Sequence, residues 1–230
     1  MQAEGPTRAV VLVLHGGKSQ SQEPTEDDQL SVVRLRPFAN RVHRLVRAHG
    51  VAVWRVRYRV RGWNGHQASP THDVRRVLDQ VRAEHGAVPV VLLGHSLGGR
   101  TAIAVCDDPS VRHVVALAPW LPSGESTAQA AGRDIVIAHA PQDRWTSPRE
   151  SRRWADRAEG VAERVTYVTV LRSGHFMLRR HRVWSSIASA FTLQALAAES
   201  VTDARLVTSV PGPGPNLVAA AAGGRHSLQV

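Results

Sequence analysis

Only one cysteine, Cys106, occurs in the 230 residues. No disulfide framework can form within the chain, and a reducing, cytoplasmic setting is expected. No apolar run approaches the ~20 residues that a membrane span requires, and Met1–Arg8 lacks the layout of a signal peptide; no membrane association is expected. Twelve histidines are present, yet none stands in a His-Glu-x-x-His spacing, and no glycine-rich phosphate loop occurs. Neither a metal nor a nucleotide cofactor is therefore expected. Lysine is nearly missing as well, since of 29 basic residues only Lys18 is lysine. The arginines are scattered along every segment, so the formal net charge of +10 reads as the amino-acid bias of a GC-rich genome, and no nucleic-acid partner is expected. The densest group, Arg55, Arg57, Arg59 and Arg61, alternates with Trp54, Val56, Tyr58 and Val60. That period of two describes a strand over Val51–Arg61 with one polar face, suited to the edge of a sheet.

What is present is enough apolar material, 43% of residues, for one domain with a full core. Strand and helix patterns alternate along it. A strand over Ala9–Leu14 runs into a polar loop, Gly16–Gln29, and a helix over about Ser31–His49 interrupted at Pro37. After the arginine strand comes a helix over about Pro70–His85, with Val74, Val77, Leu78 and Val81 as its apolar stripe. A strand from Val90 and a helix of small residues follow. Further strands lie at Val111–Ala118, Asp134–Ala140 and Arg164–Leu171, with helices near Pro148–Glu159 and His181–Ala198. Six strands joined by crossover helices imply an α/β fold with an open, mainly parallel sheet covered on both faces. The boundary is expected near residue 199. Beyond it, Pro211-Gly-Pro-Gly-Pro215 and the alanine-rich stretch to Gly224 read as a flexible tail over 200–230.

The chemistry gathers at Gly94-His95-Ser96-Leu97-Gly98-Gly99. A buried strand, a Gly-x-Ser-x-Gly turn and a small-residue helix hold one serine oxygen in an exposed position just before a helix N-terminus. Serine attacks only when a base takes its proton, and the base needs a third group to fix its tautomer. Two residues stand just beyond the ends of later strands: Asp143 in Ala-Pro-Gln-Asp-Arg-Trp and His175 in Arg-Ser-Gly-His-Phe-Met. The chain order is thus Ser96, Asp143, His175. His139, inside a strand, reads as a core residue or a support to the site.

In these motifs the chain resembles the α/β-hydrolase superfamily over about residues 8–198, and in detail small cap-less, actinobacterial-type members of the dienelactone-hydrolase-like kind. The resemblance implies the α/β-hydrolase three-layer sandwich, with Ser96 as nucleophile, Asp143 as orienting acid and His175 as general base. Dienelactone hydrolases proper use cysteine where this chain has Ser96. One oxyanion donor is expected at the amide of Leu97, the other in His15-Gly16-Gly17-Lys18, at Gly17 or Lys18. Pro119–Arg133 is too short for a cap domain, which leaves an open pocket. Trp120, Trp145 and Trp63 are expected to line its rim, and Arg59, Arg61 or Arg144 to favour an acidic substrate group. The implied activity is hydrolysis of small-molecule carboxylic esters. Thioesterase, lactonase and acyltransferase activities use the same machinery, and a non-catalytic binding protein shares the fold.

Overall fold

Apolar residues on both sides of each strand require cover on both faces of the sheet. The computed structural model, which describes residues 1–224 and 226–230, provides it. Seven strands, all parallel, lie in the order β2-β1-β3-β4-β5-β6-β7. They are β1 (Ala9–Leu14), β2 (Val51–Val56), β3 (Val90–His95), β4 (Val111–Leu117), β5 (Asp134–His139), β6 (Arg164–Thr169) and β7 (Ser227–Gln229). Within β1, Val11 and Val13 enter one buried cluster while Val10, Leu12 and Leu14 enter the other, as the period of two dictates. The short α1 (Leu30–Val33) leads into α2 (Arg36–Val46), which packs on the first face with α6 (His181–Ala198) and α8 (Gly214–Ala222). The second face is covered by α3 (Ser69–His85), α4 (Leu97–Ala104) and α5 (Pro148–Ala158). No cap interrupts the 119–133 connection, which holds only a short 3₁₀ turn at Ala128–Ala130.

Three stretches depart from the sequence reading. Pro37 does not break a long helix but opens one, standing in the first turn of α2, where its missing N–H costs nothing. The arginine strand leaves the ladder at Val56, because its only neighbour, β1, ends opposite it at Leu14. Beyond that point the alternating residues pair with the incoming polar loop, Pro24 bridging Val60 and Lys18 bridging Gly62, while the Arg59 amide turns to the helix over Ser69–His85 and donates to Asp73 Oδ2 at 2.9 Å.

The third departure is the expected flexible tail. Residues 205–208 form α7 and 214–222 form α8, while β7 pairs with β6 in register Tyr167↔Ser227. The Pro-Gly run is a helix entry: Pro213 caps α8 and Pro215 stands in its first turn. Gly214 lies so close to α6 that a Cβ would collide with the Ser186 carbonyl. Leu217, Val218 and Ala221 then join the core, so composition alone misread a packed helix as a linker.

Cys106 is buried after α4 (Leu97–Ala104), its thiol pushed up to about 12 by burial and turned to the carbonyls of Ile103 and Gln129 at 3.1 Å. It behaves as a small core residue.

Candidate active site

The turn between β3 and α4 places Ser96 at φ 57°, ψ −119°, a left-handed conformation that a side chain adopts only under constraint. The constraint comes from close backbone passage on both sides. A Cβ at Gly94 would meet the Gly98 carbonyl, and one at Gly98 would meet the backbone of Leu14, within β1. None of these atoms is a flexible side-chain end. Gly98→Ala is therefore expected to lower unfolding free energy by about 3 kcal/mol or more, read as a shifted urea midpoint. A midpoint within error of wild type would show that the turn has slack.

His175 stands in the loop after β6. Its Nδ1 donates to Asp143 Oδ2 at 2.8 Å, and its Nε2 lies 3.0 Å from Ser96 Oγ. With Nδ1–H committed to the carboxylate, Nε2 is left to accept the serine proton. The loop is pinned from two sides. His95 Nε2 donates to the His175 carbonyl at 2.9 Å, and Trp184 Nε1 on α6 donates to Ser173 Oγ at 2.7 Å. The structure thus brings Ser96, Asp143 and His175 together, all three buried.

Asp143 follows β5 in a tight turn that its own carboxylate closes. Oδ1 accepts the amides of Trp145 (2.8 Å) and Thr146 (3.0 Å). Oδ2 accepts His175 Nδ1, the Thr146 hydroxyl at 3.0 Å and His139 Nε2 at 3.2 Å. Burial alone would raise this carboxyl, but the histidine and amide donors outweigh it and hold it well below the usual carboxylate range. His139 is kept neutral, burial driving its pKa down despite the facing carboxylate. With its Nε2–H turned to Asp143, its Nδ1 accepts the Ser151 hydroxyl at 2.7 Å, and Ser151 Oγ lies 3.1 Å from the Tyr167 hydroxyl. A buried polar line therefore runs from Tyr167 to Ser96.

Burial pushes His15 down to about 4 and His95 down to about 3, so both are neutral near pH 7. His15 Nδ1–H donates to the Gly16 carbonyl at 2.6 Å, and its Nε2 accepts the Tyr58 amide at 3.3 Å, which braces the loop facing Ser96. In that loop the Lys18 amide is already donated to the Arg61 carbonyl at 2.8 Å. Among the described residues neither the Gly17 nor the Leu97 amide has such a partner.

The serine opens onto a cleft of about 830 Å³. Trp120 and Trp145 line it, the latter 71% exposed with its ring 6.4 Å from that of His175 and nearly parallel to it. Trp63 does not. It is buried in the core, with the Arg100 guanidinium 3.8 Å above its ring, and borders a neighbouring hollow. The three arginines expected at the mouth are not on the cleft wall. Arg59 is bound to Asp73 and Arg61 to Glu23, while Arg144 is exposed on the loop after Asp143. In their place stands Arg34, at the C-terminal end of α1, with Leu30, Phe176 and Leu178 beside it. Nothing in the sequence marks Leu30 and Arg34, which reach the cleft only through the course of the 16–29 loop, whereas Phe176 and Leu178 arrive on the loop that carries His175. Thr146 was within reach of sequence reasoning, as the third residue of an aspartate-closed turn.

An all-parallel sheet with helices on both faces, and a strained serine between strand and helix at its carboxyl end, defines the lidless α/β-hydrolase architecture. The chain belongs to the alpha/beta hydrolase family, whose sequence pattern matches residues 11–228. Solved structures share the fold at low identity. An alpha-beta serine hydrolase homologue from Coxiella burnetii is 15% identical, with 82% of this chain and 88% of that one covered and a TM-score of 0.62. An α/β serine hydrolase without lid from Xanthomonas campestris is 18% identical over 84% and 86%, with a TM-score of 0.61. Est1E from Butyrivibrio proteoclasticus, solved with ferulic acid bound, is 13% identical over 86% and 93%, with a TM-score of 0.62. No curated protein matches the chain.

Proposed function

We propose that this protein is a serine hydrolase that cleaves small-molecule carboxylic esters through an acyl-enzyme. The hydrogen-bonded line Ser96–His175–Asp143, with Ser96 opening onto the cleft, carries the reading. Ser96 Oγ attacks the ester carbonyl as its proton passes to His175 Nε2. The ionised Asp143 stabilises the resulting imidazolium. The oxyanion is received by the amides of Leu97 and Gly17. Lys18 is set aside because its amide is spent on Arg61. Each such donor is worth about 3–4 kcal/mol in the transition state. The tetrahedral adduct collapses as His175 returns the proton to the leaving alcohol, and water activated by the same nitrogen then releases the acid. Trp145 and Trp120 offer flat apolar surface for the substrate body.

Labelling with a fluorophosphonate, mapped by mass spectrometry, tests the reading. The adduct is expected on Ser96 and is expected to vanish in Ser96→Ala. A folded wild-type protein that takes no label would overturn it and favour the non-catalytic reading. Labelled protein is then offered nothing further; fresh protein is assayed on esters, thioesters and lactones, with added alcohols to detect acyl transfer.

A further inference from the structure

The cleft in front of Ser96 is unbalanced in charge. Its wall carries two permanent cations, Lys18 and Arg34, and no aspartate or glutamate. Lys18 is compensated, its ammonium lying 3.4 Å from Glu23. Arg34 has no carboxylate within ion-pair distance among the described residues. The arginines of the adjoining 57–62 segment, off the cleft wall, are by contrast paired: Arg61 shares Glu23 with Lys18, and Arg59 binds Asp73.

Arg34 is also held in place. Its guanidinium carbon sits 4.4 Å from the centre of the Phe176 ring, and one N–H donates to the Phe176 carbonyl at 3.1 Å. Phe176 packs in turn on Trp145 at 5.0 Å. The guanidinium is thereby oriented by an aromatic face and one hydrogen bond, and its remaining donors have no protein partner among the described residues. Partial burial lowers its pKa, and its charge helps to depress that of His95. Both effects describe a partly desolvated cation close to the reacting centre. A half-buried guanidinium held against an aromatic face suits a planar carboxylate, which two parallel N–H groups can grip.

We propose that Arg34 is a specificity-determining residue that binds a carboxylate on the substrate, so that the preferred ester combines an apolar body with one negative charge. The apolar body lies against Trp145 and Phe176, and the carboxylate meets Arg34 while the ester carbonyl reaches Ser96. This deepens the ester-hydrolase reading and rests on it for the position of the scissile bond, but anion binding itself needs no turnover.

The test separates the two. Phenylacetate and its uncharged analogue phenylacetamide are titrated calorimetrically into wild type, Arg34→Gln and Arg34→Lys. Wild type is expected to bind the acid at least about tenfold more tightly than the amide. That preference is expected to disappear in Arg34→Gln and to survive in reduced form in Arg34→Lys, which keeps the charge but not the fork. Equal binding of acid and amide by wild type, or a preference that persists in Arg34→Gln, overturns the proposal. Should Arg34→Gln fail to fold, the wild-type ratio and the lysine variant still decide. Kinetically, matched esters are compared: phenyl pentanoate against the monophenyl ester of glutaric acid, and phenyl acetate against 4-acetoxybenzoate. The anionic member of one pair is expected to have the higher kcat/KM, and the pair that shows it tells whether the acyl or the alcohol side faces Arg34. No charge preference in either pair overturns the specificity role. Acid-selective binding without any ester turnover or Ser96 labelling would leave the anion site standing and sink the hydrolase reading instead.

Discussion

Asp143→Asn is expected to lower the rate of Ser96 acylation about ten-thousand-fold. The exchange is nearly isosteric, so the effect isolates protons from shape. Asp143 Oδ1 accepts two backbone amides, from Trp145 and Thr146, and an asparagine will keep its carbonyl oxygen there. Its amide nitrogen must then take the place of Oδ2, which in the native protein accepts from His175, Thr146 and His139. Facing an N–H donor, His175 has to turn Nδ1 into an acceptor and carry its proton on Nε2. That nitrogen, 3.0 Å from Ser96 Oγ, can then no longer take the serine proton. The second-order rate of fluorophosphonate labelling measures this directly, without knowledge of the substrate. A loss smaller than about tenfold would mean that Asp143 does not set the tautomer of His175.

Acid is expected to destabilise the protein well before its carboxylates titrate. His15 and His95 are buried and have folded-state pKa values of about 4 and about 3, against an ordinary value of 6.5. His139 is lowered as well. Because each folded value lies below the unfolded one, the unfolded chain binds more protons between about pH 6.5 and pH 3. Stability is then complete above pH 6.5 and is lost as pH falls through that window. For His15 and His95 together the loss reaches on the order of 5 kcal/mol at about pH 4.5, comparable to the whole stability of many domains. Asp143 adds to it lower down, since its depressed pKa contributes stability that is present above the unfolded value of about 3.9 and lost below it. Urea denaturation at about pH 7 and pH 4.5 checks this. Equal midpoints would show that the buried rings are hydrated or find new acceptors when protonated.

The parts of the molecule that were legible in the sequence share a cause. Strand β1 is short and wholly apolar, β3 is apolar up to Gly94, and the Gly94–Gly99 turn needs its residue types for local steric reasons. Asp143 and His175 could be placed because loops at strand carboxyl ends converge. Position along the chain is enough for such features. The misread parts depend on partners distant in sequence. Residues 211–222 look like a linker until α6 is beside them, with Gly214 against Ser186. Arg57–Arg61 alternates as a strand does but outruns its neighbour β1. Trp63 and Trp145 were equal on paper; one is capped by Arg100 in the core, and the other stands out over His175. Arg34 carries no local signal at all, since its role depends on where the 16–29 loop sets α1 down.

The order of the sheet can also be read as a sequence of events on the ribosome. The first two strands make one edge, β3 is added on the free side of β1, and from β4 onward every new strand is laid against the one made just before it. Growth is thus in one direction, each step closing a short loop rather than a long one, which favours folding during synthesis. The strained serine turn, pressed against Leu14 and the β4 side, is built early. Asp143 arrives two strands later and His175 one after that. The line Ser96–His175–Asp143 is therefore complete only once β6 and the loop after it are made, and a shorter chain holds the strained serine without its histidine partner.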